Sequence, residues 1–237
     1  MTEPILSVQN LTAYYGKAQI LFDLSLEVKP GEVVVLMGRN GAGKSTTMKS
    51  LVNLIDRKEG QIRFNGTDIS NKTTHQIAQM GLGFVPEDRR VFTELTVLEN
   101  FEVGRLPPRP GVTPWTPERL FELFPNLGEM PNRPGGFMSG GEQQMLTIAR
   151  TLMGNPTMVL VDEPSEGVAP VIVEKIASAI QKLKSEGVSI LLSEQNITFA
   201  EWVGDRAYVL EKGSIRYEGS MKELIANQEV RSAYLDF

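Results

Sequence analysis

Apolar residues in this chain are bunched into short runs separated by polar and glycine-rich stretches. Val33-Val34-Val35-Leu36-Met37 is an unbroken, β-branched run and predicts a strand buried on both faces, as in a parallel sheet. Met158-Val159-Leu160-Val161 and Ser189-Ile190-Leu191-Leu192 predict two more buried strands. Ile5 to Gln9 and Leu24 to Val28 read as strands joined by a polar, Gly-containing segment. Gln61-Ile62-Arg63-Phe64 reads as a strand entering an Asn65-Gly66 turn. With Leu82 to Val85 these suggest a β-rich layer around the Val33 strand. Helical spacing of three and four appears from Ser45 to Ile55, where Met48, Leu51, Val52 and Ile55 are apolar.

The pattern becomes helical again from Val97 to about Gly154, with a helix expected over Gln144 to Leu152. Pro107, Pro108, Pro110, Pro114 and Pro117 interrupt it, so Arg105 to Pro117 is expected to be a surface linker. Val171 to Ser185 reads as a helix, and Ala207 to Glu218 as a hairpin turning at Lys212-Gly213. No internal repeat is apparent.

Composition narrows the function classes. The 237 residues carry 24 basic and 29 acidic side chains, a net charge of −5, which disfavours a dedicated nucleic-acid binder. The absence of cysteine excludes disulfides, Cys-based zinc sites and thiol nucleophiles. The single histidine, His75, excludes a His-rich metal site; it lies near the start of a short amphipathic helix with no metal partner nearby. Met1-Thr2-Glu3-Pro4 has neither a basic n-region nor an apolar h-region, so no secretory signal is expected. Apolar runs are only strand-length, far below the ~20 residues of a membrane span. The chain is therefore expected in the cytoplasm, or on a membrane through a partner.

The candidate chemistry starts at Gly38-Arg39-Asn40-Gly41-Ala42-Gly43-Lys44-Ser45-Thr46, which fits G-x-x-x-x-G-K-[ST] between a predicted strand and a predicted helix. Glycines let backbone N–H groups turn onto phosphates, and the helix N-terminus adds about half a positive charge. Lys44 supplies a compact cation, and the Ser45 hydroxyl can ligate Mg²⁺. A second strand ends in Asp162-Glu163-Pro164. Asp162 is placed to hold Mg²⁺ and Glu163 to orient or deprotonate the water attacking the γ-phosphate. Upstream lies Met138-Ser139-Gly140-Gly141-Glu142-Gln143, directly before a predicted helix.

In this order, the three motifs resemble those of the ABC ATPases, whose signature is Leu-Ser-Gly-Gly-Gln or a near variant. The resemblance implies an α/β P-loop NTPase with a RecA-like core, an antiparallel β subdomain and an α-helical subdomain. One domain is then expected over 1–237, with 1–87 and 157–237 forming core and β subdomain and 88–156 the helical subdomain. It implies that Ser139, Gly140, Gly141 and Glu142 face the γ-phosphate held by a second ATPase subunit, so that two subunits sandwich two ATPs. Tyr15 is implied as the aromatic that stacks on adenine; adjacent Tyr14 stays open as the alternative. Glu166-Gly167-Val168-Ala169 occupies the loop that reads Ser-Ala-Leu-Asp in most of the family.

Two positions depart from the family's usual text. Glu87 stands where most members have Gln, and Gln195 where most have His; counting back ten residues from Asp205-Arg206 favours Gln195 over Glu194. Both departures, with Pro164 to Pro170, resemble the LivF-type ATPases of branched-chain amino acid importers almost end to end. Gln195 does not titrate but can donate an amide N–H to the γ-phosphate or hold the water. Glu87 adds a third carboxylate and is implied as a further metal-side group, so slower or partner-dependent hydrolysis is expected.

The resemblance implies ATP and Mg²⁺, two transmembrane permease subunits contacted through Glu87 to about Glu102, including exposed-looking Arg89-Arg90, and indirectly an extracytoplasmic binding protein. It places the chain peripherally on the cytoplasmic face of the membrane. A urea or amide importer shares the pattern. A lipid exporter ATPase would be expected to carry the His. An ABC protein acting on nucleic acid would be expected to carry tandem domains, and a P-loop kinase an arginine-rich lid.

Overall fold

A computed structural model describes residues 3–235. Met1 and Thr2, where no secretory signal was expected, lie outside the described residues, as do Asp236 and Phe237. The first half contains β1 (Leu6–Tyr15), β2 (Ala18–Val28), β3 (Val33–Met37), α1 (Lys44–Leu51), β4 (Arg57–Phe64), β5 (Thr67–Asp68), α2 (Thr74–Met80) and β6 (Leu82–Val85). A helical stretch follows: α3 (Val97–Gly104), α4 (Pro117–Leu123), α5 (Pro125–Gly128) and α6 (Gly140–Leu152). The chain then runs through β7 (Met158–Asp162), α7 (Pro170–Ser185), β8 (Ser189–Glu194), α8 (Ile197–Val203), β9 (Arg206–Glu211), β10 (Ser214–Ser220), α9 (Met221–Ala226) and α10 (Gln228–Tyr234).

Two sheets form. One is antiparallel, in the order β2-β1-β4-β5. The other runs β10-β9-β3-β8-β7-β6, parallel except for the β9–β10 hairpin. β3 alternates between two cores: Val33, Val35 and Met37 face the helices, while Val34 and Leu36 face α1 and the antiparallel sheet. Burial on both sides explains why this strand has no polar position.

The structure corrects several sequence expectations. β1 and β2 are far longer than Ile5–Gln9 and Leu24–Val28, because cross-strand pairing carries polar residues into the ladder. β6 belongs to the parallel sheet, pairing with β7, and not to the antiparallel layer. α1 stops at Leu51, four residues before Ile55: Asn53 adopts φ 56°, and its amide donates to the carbonyls of Ile69, Ser70 and Lys72. The proline-rich segment runs along the surface as expected, with Arg105, Pro107, Pro108, Pro110, Gly111, Thr113 and Pro114 exposed, but it is anchored rather than loose. Trp115 is buried, and Arg109 donates to the carbonyls of Ala78, Gln79 and Asn155. Among the described residues, no helix is long and apolar enough to cross a membrane.

Candidate active site

β8 lies between β3 and β7, so three loops distant in sequence leave neighbouring strand ends. Met37 is in register with Glu194, and Asp162 with Ser193. Ligands of open parallel sheets gather at such carboxyl ends. The β3 end carries Gly38 to Thr46. A Cβ at Gly38 would lie 2.5 Å from the Leu210 carbonyl oxygen. Gly43, at φ 110°, caps α1 in a conformation that side chains resist. The Lys212-Gly213 turn braces the loop: Gly213 N–H donates to the Ala42 carbonyl (2.8 Å), and the Gly213 carbonyl accepts from Phe22 N–H (2.9 Å). Arg39, Asn40 and Gly41 form the exposed rim, whereas Ala42, Gly43, Lys44 and Thr46 are buried.

Lys44 reaches back along this loop. Its Nζ donates to the carbonyls of Gly38 (2.7 Å) and Arg39 (3.2 Å) and forms a buried ion pair with Glu163 Oε1 at 3.1 Å. Ser45 Oγ donates to Asp162 Oδ1 at 3.1 Å. Asp162 Oδ2 is buried without a hydrogen-bond partner. A hydroxyl beside an open carboxylate oxygen suits Mg²⁺, a hard cation that keeps water and phosphate ligands. Among the described residues no three His, Cys, Asp or Glu side chains could hold a metal by themselves. Burial pushes the Asp162 carboxyl above its ordinary range; Ser193 and Ser45 oppose that shift, and the charges of Glu163 and Glu87 add to it. Glu87 is exposed and acts on Asp162 through its field.

Glu163 is held from several sides. Its φ of 45° is left-handed, a strain of about 1–3 kcal/mol for a residue with a side chain. Its N–H donates to Ser193 O (3.1 Å) and Ser193 Oγ (3.0 Å), while Ser193 Oγ donates to Asp162 Oδ1 (2.5 Å). Gln195 Nε2 lies 3.4 Å from Glu163 Oε2. Glu194 faces another way: its buried carboxylate accepts from the N–H groups of Ser165, Gln195 and Asn196. Burial pushes its pKa up against those bonds.

The sequence reading missed Ser193 and Gly213. A serine in a fully buried apolar strand was the available signal for Ser193. Gly213 had only its turn position, since its contact with the loop is long-range.

Tyr15 ends β1 just before the Gly16 turn and is 43% exposed. Tyr14 is half-buried, with the Arg57 guanidinium 4.6 Å above its ring. The remaining predicted residues lie elsewhere. Ser139 caps α6 in a capping box: its Oγ accepts from Glu142 N–H at 3.3 Å, and its N–H donates to Glu142 Oε2 at 2.7 Å. Among the described residues, Ser139 to Glu142 make no hydrogen bond or ion pair with the cluster around Lys44. Arg89 is half-buried rather than exposed, lying over Gly140. Arg90 is exposed and pairs with Asp88.

The pattern of the ABC transporter family matches residues 21–166. The chain is 44% identical over 98% of its length to the high-affinity branched-chain amino acid transport ATP-binding protein BraG of Pseudomonas aeruginosa, covering 99% of that protein. It is 35% identical to the lipopolysaccharide export system ATP-binding protein LptB of Haemophilus influenzae, over 98% of this chain and 97% of the other. The ADP conformation of MJ1267, an ATP-binding cassette of an ABC transporter, superposes with a TM-score of 0.80 at 30% identity over 98% of both chains. The parallel sheet with its P-loop, the antiparallel sheet beside it and these likenesses lead to one conclusion: the chain belongs to the ABC transporter family, as an ABC-type ATPase.

Proposed function

We propose that this chain is the ATP-binding subunit of an importer for branched-chain or related amino acids, hydrolysing ATP at a site shared between two ATPase subunits. The observation that carries the ATPase chemistry is the meeting of Lys44, Ser45, Asp162, Glu163 and Gln195 at three adjacent strand ends. The similarity to BraG along nearly the whole chain supports the substrate class.

In this reading Gly38 to Thr46 wrap the triphosphate and Tyr15 offers its exposed ring to adenine. Ser45 and Asp162, with Glu87 as a further carboxylate, would hold Mg²⁺, which would neutralise phosphate charge. Lys44 has two competing partners, the phosphates and Glu163. A triphosphate on the loop draws its ammonium away, leaving the Glu163 carboxylate to accept the proton of the attacking water. Gln195, within reach of Glu163, orients that water. Gly140 and Gly141 N–H groups at the α6 N-terminus, with Ser139 and Glu142, close over the γ-phosphate of the partner subunit's nucleotide.

One domain serves these roles, with 88–156 as its helical subdomain. A groove of about 430 Å³ lined by Phe84, Arg90, Phe92, Val103, Leu106 and Arg150 has the apolar floor and cationic rim that suit an amphipathic permease segment. Permease docking there puts the chain on the cytoplasmic face of the membrane, with an extracytoplasmic binding protein on the opposite side.

The test is to delete this chain's coding sequence and measure uptake of radiolabelled leucine, isoleucine and valine beside urea, restoring either wild type or Glu163→Gln. Leucine-class uptake restored only by wild type is expected. Urea uptake restored instead moves the substrate to the amide class.

A further inference from the structure

The loop after β6 sends two adjacent arginines to different surfaces. Arg89 and Arg90 both adopt left-handed backbone, at φ 61° and 48°. α6 secures that shape. Thr147 Oγ1 donates to the Arg89 carbonyl at 2.7 Å, and Arg150 donates to the Arg90 carbonyl at 2.7 Å and to that of Arg89 at 3.4 Å. Arg90 pairs with Asp88 and lines the groove. Arg89 turns the other way, onto the first turn of α6. Its guanidinium nitrogen lies only 2.5 Å from where a Cβ on Gly140 would stand, and another lies 3.8 Å from the Cβ position of Gly167. The cation therefore occupies the space between the signature loop and the 166–169 loop, and Gly140 leaves that space open.

Charge makes this placement informative. Among the described residues no carboxylate lies within ion-pairing distance of Arg89, although adjacent Arg90 pairs with Asp88 and Arg105, just after α3, pairs with Glu102. Yet the surface around it is acidic: Glu142 sits in the first turn of α6, and Glu166 and Glu87 are exposed nearby. In the capping box Glu142 already takes the Ser139 N–H, leaving Gly140 and Gly141 as the open donors of the helix end. Two neutral amides beside acidic side chains are a weak lure for a highly charged triphosphate. A guanidinium in contact with Gly140 corrects the balance and offers bidentate geometry.

We propose that Arg89 is a phosphate-binding residue of the signature surface, its guanidinium contacting the terminal phosphate of the nucleotide held on the P-loop of a second copy of this chain. The proposal rests on the shared-site reading above and adds a residue to it.

The experiment uses the full chain carrying Glu163→Gln, which slows hydrolysis, and follows dimerisation by sedimentation equilibrium in Mg-ATP and in Mg-ADP. Adding Arg89→Gln is expected to weaken the ATP-dependent dimer about tenfold or more, the scale of one charge-assisted contact. Arg89→Lys recovers part of the loss. Binding of a fluorescent ATP analogue to the monomer stays within about twofold, since the P-loop is intact. Thermal unfolding of each variant shows that it is folded. An ATP-dependent dimer unchanged by Arg89→Gln overturns the proposal and leaves the shared site standing. Equal weakening of monomer binding and dimerisation overturns it too, because the effect would then be structural. If Glu163→Gln alone stays monomeric in Mg-ATP while Arg89 is intact, pairing of two copies fails and the proposal falls with it.

Discussion

The loop around Lys44 and the helix start at Ser139 are built in opposite ways. Around Lys44 and Glu163, the side chains are buried and ion-paired to each other, Lys44 bonds the Gly38 and Arg39 carbonyls after β3, and the Glu163 N–H bonds Ser193 of β8. Around Ser139, which is exposed while Gly140 and Glu142 are half-buried and Gly141 is buried, the helix start is secured by its own capping box. The first region carries strain and desolvated charge, which the surrounding sheet can hold. The second carries almost none, and Ser139 and Glu142 bond chiefly each other.

The comparison breaks or sharpens at defined points. Lys44→Ala is expected to lower ATP turnover by about a hundredfold or more, measured as phosphate release; a drop of only a few-fold would remove Lys44 from the chemistry. Gly213→Ala comes next. Its φ is 78°, and a Cβ would stand 1.9 Å from the Ile20 carbonyl oxygen. A loss of about 2–4 kcal/mol in urea unfolding is expected, together with weaker nucleotide binding, because this turn braces the P-loop.

Ser193→Ala removes a buried hydroxyl shared by Asp162 and the Glu163 N–H. The expected cost is about 1–3 kcal/mol, with a fall in turnover larger than in ATP affinity. Ser139→Ala should cost only ~1 kcal/mol in the isolated chain, the value of one helix cap. Its turnover in the paired state should fall far more than that stability loss suggests. Equal effects in both assays would show that the signature end is a cap and nothing more.

The smallest effect is a pH dependence. The Glu166 carboxyl is pushed up to about 7 from 4.5, first by its hydrogen bond to Glu163 and then by burial and the charges of Glu163 and Glu87. The folded state thus holds this proton more tightly than the unfolded chain. Its stabilising contribution is complete below pH 4.5 and is lost as pH rises toward 7. Melting temperatures of wild type and Glu166→Gln should therefore converge or cross over that window; parallel curves would place the proton elsewhere.

Much of the ATP-facing half was legible because each piece is local. A glycine loop after β3, carboxylates after β7 and a serine before α6 each declare themselves within a few residues. Other features depended on neighbours. Gln195 and Glu194 are adjacent in sequence, and only the structure turns one toward Glu163 and the other onto backbone amides. Arg89 and Arg90 looked alike in sequence, yet α6 holds the loop so that they diverge. Trp115 and Arg109 lie in a proline-dense stretch whose composition suggests solvent, but Asn155 and the α2 carbonyls supply their partners.

The sequence by itself determined the family, the apolar runs that become β3, β7 and β8, and the residue types that can handle a phosphate. Those follow from short-range spacing and side-chain chemistry. Tertiary structure alone decided that β8 inserts between β3 and β7, and so brings Ser193 and Gln195 to Glu163. It also decided that Gly213 supports a loop some 170 positions earlier. Strand order arises from chain crossovers, which cost loop entropy and are repaid by burial of whole faces. No local pattern encodes that sum.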